Sequence, residues 1–247
     1  MLPPEPDAAE DEQVDQRYYQ VAKPASLAER MVVLARDNIY RDFIRLARPT
    51  AASTILDVGV SDVVGEAANM LERKYPYLDR VTAVGLGTAR HFQAAFPQVA
   101  YCQIVPGEPL PFADRSFDIA MSNAVLEHVG SETGQAAFVA ELARVARCSF
   151  ISVPNRFFPV EHHTGIPLLH WTDASFAAGC RALRKREWAE SANLILMTRA
   201  SLRRLCPHRA VRIGVTGIGL GPFSSNLYLL IGEPGLSSID GSTSARL

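Results

Sequence analysis

The chain is poor in the features that mark several common functional classes. Of its 247 residues only four are cysteines, Cys102, Cys148, Cys180 and Cys206, and no two of them make a C-x-x-C. Zinc ribbons and thioredoxin-like redox pairs need that spacing, so neither is indicated, and a reduced, cytoplasmic protein is expected. There is no excess of either charge, with 25 Lys and Arg against 26 Asp and Glu. That balance gives no basic footprint for nucleic acid, and no nucleic-acid partner is expected. The first residues lack the basic and apolar regions of a signal peptide. They are instead acidic and Pro-rich, with Glu5, Asp7, Glu10, Asp11, Glu12 and Asp15, and residues 1–24 are expected to be disordered. One uncharged run, Ile213 to Gly232, is long enough to cross a bilayer. It is broken by Gly214, Gly217, Gly219 and a Gly221-Pro222 turn, so it reads as two short strands of a hairpin rather than a membrane span. No internal repeat is present.

What the chain does have is alternation. Leu27, Met31, Leu34, Ile39, Phe43, Ile44 and Leu46 recur at roughly helical spacing, which predicts a helix ended by Pro49. Thr54 to Val58 then reads as a strand, Asp62 to Lys74 as a helix stopped before Pro76, and Arg80 to Val84 as a strand. Ala89 to Phe96 reads as a helix, and Val99 to Val105 and Phe117 to Met121 as strands. Ser131 can cap a helix running to Arg147, and Cys148 to Val153 follows as a strand closed by Pro154. This order predicts an α/β fold, a single doubly wound Rossmann-like sheet, mostly parallel, with helices on both faces. Residues 155–206 break the rhythm with aromatics, histidines and a basic run from Arg181 to Arg186, whose ordinary place is a solvated helix face. Thr198 can cap a helix from Arg199 to Leu205 within this span. The expected domain is 25–232, with 155–206 as an insertion and 233–247 as a flexible Gly/Ser-rich tail.

Two segments carry the chemistry. In ILDVGVSDVVGE, Ile55 to Glu66, an apolar strand ends in Asp57 and Gly59. In LPFADRSFDIAMSNAVLEHVG, Leu110 to Gly130, a polar turn leads into a buried strand that exits through Ser122 and Asn123 to Glu127 and His128. Polar groups at the C-terminal ends of two strands suggest a ligand crevice across an open sheet. A glycine there lets the backbone approach a ligand closely, and a helix N-terminus beside it would favour a nucleoside ligand. The second and third glycine positions hold Ser61 and Val63, so this is neither a dinucleotide fingerprint nor a P-loop.

Together the two segments resemble the class I S-adenosylmethionine-dependent methyltransferases, in particular the small bacterial subgroup, type 11-like, with an LPF…D.SFD…LEHV signature. The resemblance spans about residues 27–232. It implies S-adenosyl-L-methionine as cofactor and an antiparallel hairpin at the sheet edge. It implies a cofactor site drawn from Asp57, Gly59, Ser61, Gly85, Leu86, Gly107, Glu108 and Asn123. Two departures stand out. The ribose-binding acid expected at the end of the second strand is missing from VTAVGLG, which offers Gly85, Leu86 and Gly87 instead. The adenine-facing Asp after the third strand is replaced by Pro106, with Glu108 two residues on.

Methyl transfer needs an in-line nucleophile held close, and an oxygen or nitrogen acceptor needs a base. His128 follows the strand where this family presents the methyl group. It is a candidate base, or equally a helix-start residue that bonds backbone. In NRFFPVEHHTGIPLLHW, Asn155 to Trp171, His162 and His163 are further catalytic candidates, while a loop pinned by aromatics is the plainer reading. Glu161, His162, His163 and His170 lack a recognised zinc spacing, and no metal is expected. The expected activity is methyl transfer to a small molecule, sugar or lipid-linked intermediate. The alternative is a non-catalytic binding relative with a weakened cofactor site. Acceptor and oligomeric state are not encoded in any motif.

Overall fold

A computed structural model describes residues 26–220 and 222–234. The acidic segment 1–24 and the tail beyond residue 234 lie outside the described residues. Helix α1 (Leu27–Ala47) starts where the Ser26 hydroxyl accepts the Glu29 N–H and ends where Arg48 turns left-handed ahead of Pro49. The chain continues through β1 (Ile55–Val58), α2 (Met70–Lys74), β2 (Val81–Gly85), α3 (Arg90–Ala95), β3 (Ala100–Gln103) and β4 (Phe117–Asn123). It then forms α4 (Glu132–Val145), β5 (Ala146–Pro154), α5 (Asp173–Ala182), α6 (Arg199–Arg204), β6 (Val211–Leu220) and β7 (Phe223–Gly232).

The seven strands make one sheet in the order β3-β2-β1-β4-β5-β7-β6. β1 to β5 pair in parallel, while β7 runs antiparallel to both β5 and β6. The hairpin expected of the uncharged run is therefore present, and no described helix is long and apolar enough to cross a membrane. Strand order reverses between β1 and β4. Such a switch point opens a crevice beyond the strand ends, because the loops leaving the two strands diverge to opposite faces.

Alternation along the strands splits the core into two layers. Leu56, Val58 and Ala120 face α4 and α6, whose Val139, Leu142, Val145 and Leu202 cover that side. Ile55, Ile119 and Met121 face the other side, where Ile39 and Phe43 of α1, Leu71 of α2 and Phe92 of α3 close the layer. Asp57 shares the parity of Ile55, so its carboxyl is directed toward α1 and α2. The caps predicted at Ser131 and Thr198 are formed, each hydroxyl accepting a backbone N–H in the first turn.

One predicted element is corrected. The helix expected over Asp62 to Lys74 is only its last turn, α2, and residues 59–69 form a loop. Asn69 organises that loop. Its Oδ1 accepts the Ser61 N–H, and its Nδ2 donates to the carbonyls of Ser61 and Val63. These bonds satisfy backbone groups that helical bonds would otherwise take. No helix N-terminus meets the end of β1, contrary to the sequence reading.

Candidate active site

At the switch point Arg36, Asp57, Gly59, Val60, Asn69, Met70, Leu71, Met121 and Asn123 line a small cleft at the strand ends. Three residues singled out in the sequence, Asp57, Gly59 and Asn123, therefore meet there. Gly59 has φ +99°, and a Cβ on it would lie 2.2 Å from Val125 Cγ2. Its N–H and that of Val60 both donate to the Val84 carbonyl. The glycine thus supplies space and a left-handed turn, not a free donor. Ser61 is buried just behind the cleft, tied to Asn69.

Asp57 is 8% exposed, and burial pushes its carboxyl up to about 7. Glu72 of α2 is also buried, with its carboxyl against that of Asp57. Burial, and then the neighbouring Asp57 charge, drives Glu72 well above the usual carboxylate range. Two acids in a dry site cannot both ionise cheaply. A cation in the cleft would relieve that cost.

The other predicted cofactor residues lie apart from the cleft lining. Gly85 ends β2, and a Cβ there would sit 2.9 Å from the Tyr101 hydroxyl and 3.0 Å from the Val60 carbonyl. The Tyr101 hydroxyl donates to the Gly87 carbonyl, so tyrosine fills the space that a ribose-binding acid would need. The Leu86 carbonyl accepts from Gln103 Nε2. Gly107 (φ +82°) and Glu108 are exposed in the turn after β3.

A second polar cluster lies one turn beyond Asn123. Leu126–His128 form a 3-10 turn that buries Glu127 at 1% exposure, with neither carboxyl oxygen hydrogen-bonded. Burial pushes Glu127 up to about 7. His128 Nδ1 lies 2.8 Å from the Asn193 carbonyl, and its ring meets that of His163 edge-on at 4.9 Å. Burial, followed by the charge on His163, lowers His128 to about 4. His163 Nδ1 pairs with Glu161 at 2.8 Å, and Trp188 stacks on the His163 ring at 5.0 Å. Burial alone would raise Glu161 and lower His163. Their ion pair reverses both, bringing Glu161 to about 2 and raising His163. Glu161 further accepts the Thr164 hydroxyl.

The catalytic candidates thus divide. His128 and His163 come together across 35 residues of sequence, whereas His162 is exposed and packs edge-on against Phe158. His170 is a structural histidine whose Nε2 bonds the Phe158 carbonyl. The basic run at Arg181 to Arg186 is largely exposed, with Lys185 alone reaching inward, to the Thr164 carbonyl. Four residues escaped the sequence reading: Arg36, Asn69, Glu72 and Tyr101. Arg36 carried a usable signal, since it lies three and seven residues before Ile39 and Phe43 on the buried stripe of α1. Glu72, adjoining the buried Met70 and Leu71, carried a similar one.

Residues 56–149 match the family model of a methyltransferase domain. That match and the shared fold support a class I S-adenosylmethionine-dependent methyltransferase domain over these residues. Solved structures share the fold at low identity. The magnesium protoporphyrin IX methyltransferase (ChlM) of Synechocystis PCC 6803, with bound SAH, superposes with a TM-score of 0.55 at 13% identity, covering 92% of this chain and 95% of that one. The methyltransferase domain of bacterial CtHen1-CN gives 0.54 at 13% identity, covering 81% and 100%. A putative methyltransferase in complex with the Trm112 activator of Haloferax volcanii gives 0.51 at 13% identity, covering 92% and 95%. No curated protein matches the chain.

The methyltransferase-domain match supports S-adenosylmethionine as the cofactor. The cleft fits its methionine end. Asp57 and Glu72 are two buried acids whose joint ionisation is costly, which favours a cationic ligand, and the cofactor's ammonium and sulfonium supply one. At the end of β2, Gly85 and the Tyr101 hydroxyl stand where the resemblance implies a ribose-binding acid.

Proposed function

We propose that the protein transfers a methyl group from S-adenosylmethionine to an oxygen or nitrogen of a small molecule, sugar or lipid-linked intermediate. One observation carries this reading: the acid-lined cleft at the switch point lies next to the Glu127–His128–His163 cluster. Asn123 of the cleft is four residues before Glu127, and the Arg36 charge in the cleft lining acts on the Glu127 carboxyl. Asp57, with Glu72 behind it, would hold the methionine ammonium, and Arg36 its carboxylate. Gly59 keeps the loop clear of Val125, and Asn69 fixes the loop's shape.

The acceptor would enter from the side of residues 155–206, the insertion that supplies His163, Glu161 and Trp188. Burial and the His163 charge lower His128 to about 4, so it is a neutral imidazole at physiological pH that can accept a hydrogen bond from the acceptor's O–H or N–H and orient it, while being a weak base. Gly107, Glu108, Gly85 and Leu86 would border the adenosine, with contacts from backbone rather than from a paired acid. Placement near the end of β2 and in the turn after β3 supports that role. The Tyr101 hydroxyl in the ribose-acid space favours a second reading, a relative that binds the cofactor weakly and does not turn over.

Titration of the purified protein with S-adenosylmethionine and S-adenosylhomocysteine separates the two. Micromolar binding of both, lost in Asp57→Ala, is expected of the enzyme. Absence of binding at millimolar ligand refutes it.

A further inference from the structure

We infer that Glu127, His128 and His163 form a binding site for one divalent transition-metal ion of the Zn2+, Co2+ or Mn2+ class. Each residue offers a ligand atom, and the three atoms lie within 4.8 Å of one another. No short-range motif joins them, because His163 is 35 residues from His128 and belongs to the loop after β5. Folding brings the LEH turn and the EHH loop into contact.

Three independent features distinguish the site from a chance cluster. First, Glu127 is 1% exposed and neither oxygen has a hydrogen-bond partner, which a buried carboxylate tolerates only at considerable cost. An ion bound there would remove that cost. Second, each histidine has its Nδ1 engaged by an oxygen acceptor, the Asn193 carbonyl or the Glu161 carboxylate. A backbone carbonyl can only accept, so the Asn193 carbonyl places the His128 proton on Nδ1 and leaves the lone pair on Nε2. Glu161 holds the His163 proton at Nδ1, and a metal at Nε2 would displace the second ring proton of that ion pair. Ligand histidines characteristically bond a carbonyl or carboxylate through the nitrogen that does not meet the metal. Third, Glu161 is itself held by the backbone N–H groups of His163 and Thr164 and by the Thr164 hydroxyl, so the orienting acid is rigid.

Ligand chemistry selects the ion. Two imidazole nitrogens and one carboxylate suit Zn, Co, Fe or Mn, whereas Mg2+ and Ca2+ prefer all-oxygen sites. Three protein ligands leave at least one position for water or an acceptor atom, the pattern of catalytic rather than structural zinc. A tetrahedral ion holds its ligands about 3.4 Å apart at bond lengths of about 2.1 Å. The cluster would therefore contract modestly on binding. With an ion in place, the acceptor proposed above would be activated by the metal, and His128 would be a ligand instead of a hydrogen-bond partner. The site itself does not depend on that reading, because it is tested by metal binding without any methyl transfer.

The test uses the full chain, stripped with chelator and titrated with Zn2+, Co2+ and Mg2+ by calorimetry, with metal content checked by elemental analysis. Co2+ adds a visible absorption band, and quenching of Trp188, stacked on His163, adds a fluorescence readout. One ion per chain is expected for Zn2+ and Co2+, with Mg2+ at least 100-fold weaker. Glu127→Gln and His163→Ala should each weaken Co2+ at least 100-fold. Glu161→Gln, which alters only an orienting partner, should weaken it about 10–100-fold and keep the Co2+ spectrum. Glu127→Gln keeps the shape of the side chain and removes a buried charge, so it should fold at least as well as the wild type. No binding of Zn2+ or Co2+ by the folded wild type overturns the proposal. So does binding that survives both Glu127→Gln and His163→Ala.

Discussion

If Asp57 meets the cofactor's positive charge, cofactor affinity must depend on pH through that one carboxyl. Burial raises Asp57 to about 7 in the empty protein, against an ordinary value of 3.8. A bound ammonium would favour the ionised form, so binding below pH 7 must expel a proton. For one group at about 7, the ionised fraction falls about 25-fold between pH 7.5 and pH 5.5, and the dissociation constant should rise by the same factor. Calorimetry in two buffers of different ionisation enthalpy should show about one proton released per cofactor at pH 6 and far less at pH 8. Asp57→Asn should abolish the pH dependence and bind at pH 8 about as weakly as the wild type does at its acid limit. Stability moves the opposite way. A carboxyl raised on folding favours the folded state at pH below about 4, and that contribution is lost as pH rises through about 7. The unliganded protein should therefore melt lower at pH 8 than at pH 5, and Asp57→Asn should flatten that slope. A wild-type dissociation constant that is tight and level from pH 5.5 to 8 would refute the placement of the cation beside Asp57.

Three further outcomes follow from contacts around the cleft. Gly85→Asp, which restores the missing acid, forces a Cβ to within 2.9 Å of the Tyr101 hydroxyl. It should cost about 1–3 kcal/mol in urea denaturation, and Tyr101→Phe should recover part of that loss in the double variant. Gly59→Ala meets Val125 at 2.2 Å and must hold φ +99°. It should be destabilised by at least about 1–3 kcal/mol, with Val125→Ala restoring the steric share and not the backbone share. Asn69→Ala strips three hydrogen bonds from the 61–69 loop, among them the one accepted from the buried Ser61 N–H. A loss of about 1–3 kcal/mol by denaturation is expected, together with weaker cofactor binding. An Asn69→Ala protein as stable as the wild type would show that the loop is held by other contacts.

The architecture was legible in local sequence patterns. Alternating runs with helix caps at Ser131 and Thr198, and a Gly-Pro break in an uncharged stretch, encode local periods, which need no knowledge of distant neighbours. They also placed Asp57, Gly59 and Asn123 at strand ends, and parallel topology then brings those ends to one rim. The loop over residues 59–69 was not legible, because a single side chain, Asn69, outcompetes helical hydrogen bonds that the local pattern favours. What only the tertiary structure decided is which polar groups meet. Strand parity turns Asp57 toward α1 and α2, and so toward Arg36 and Glu72. The parallel pairing of β2 with β3 sets Tyr101 against Gly85, filling the place of an acid. The fold over β5 brings Glu161 and His163 onto the Glu127–His128 turn. Each of these contacts joins segments 15 or more residues apart, with partners set by sheet order and burial, and neither has a signature in a short window of sequence.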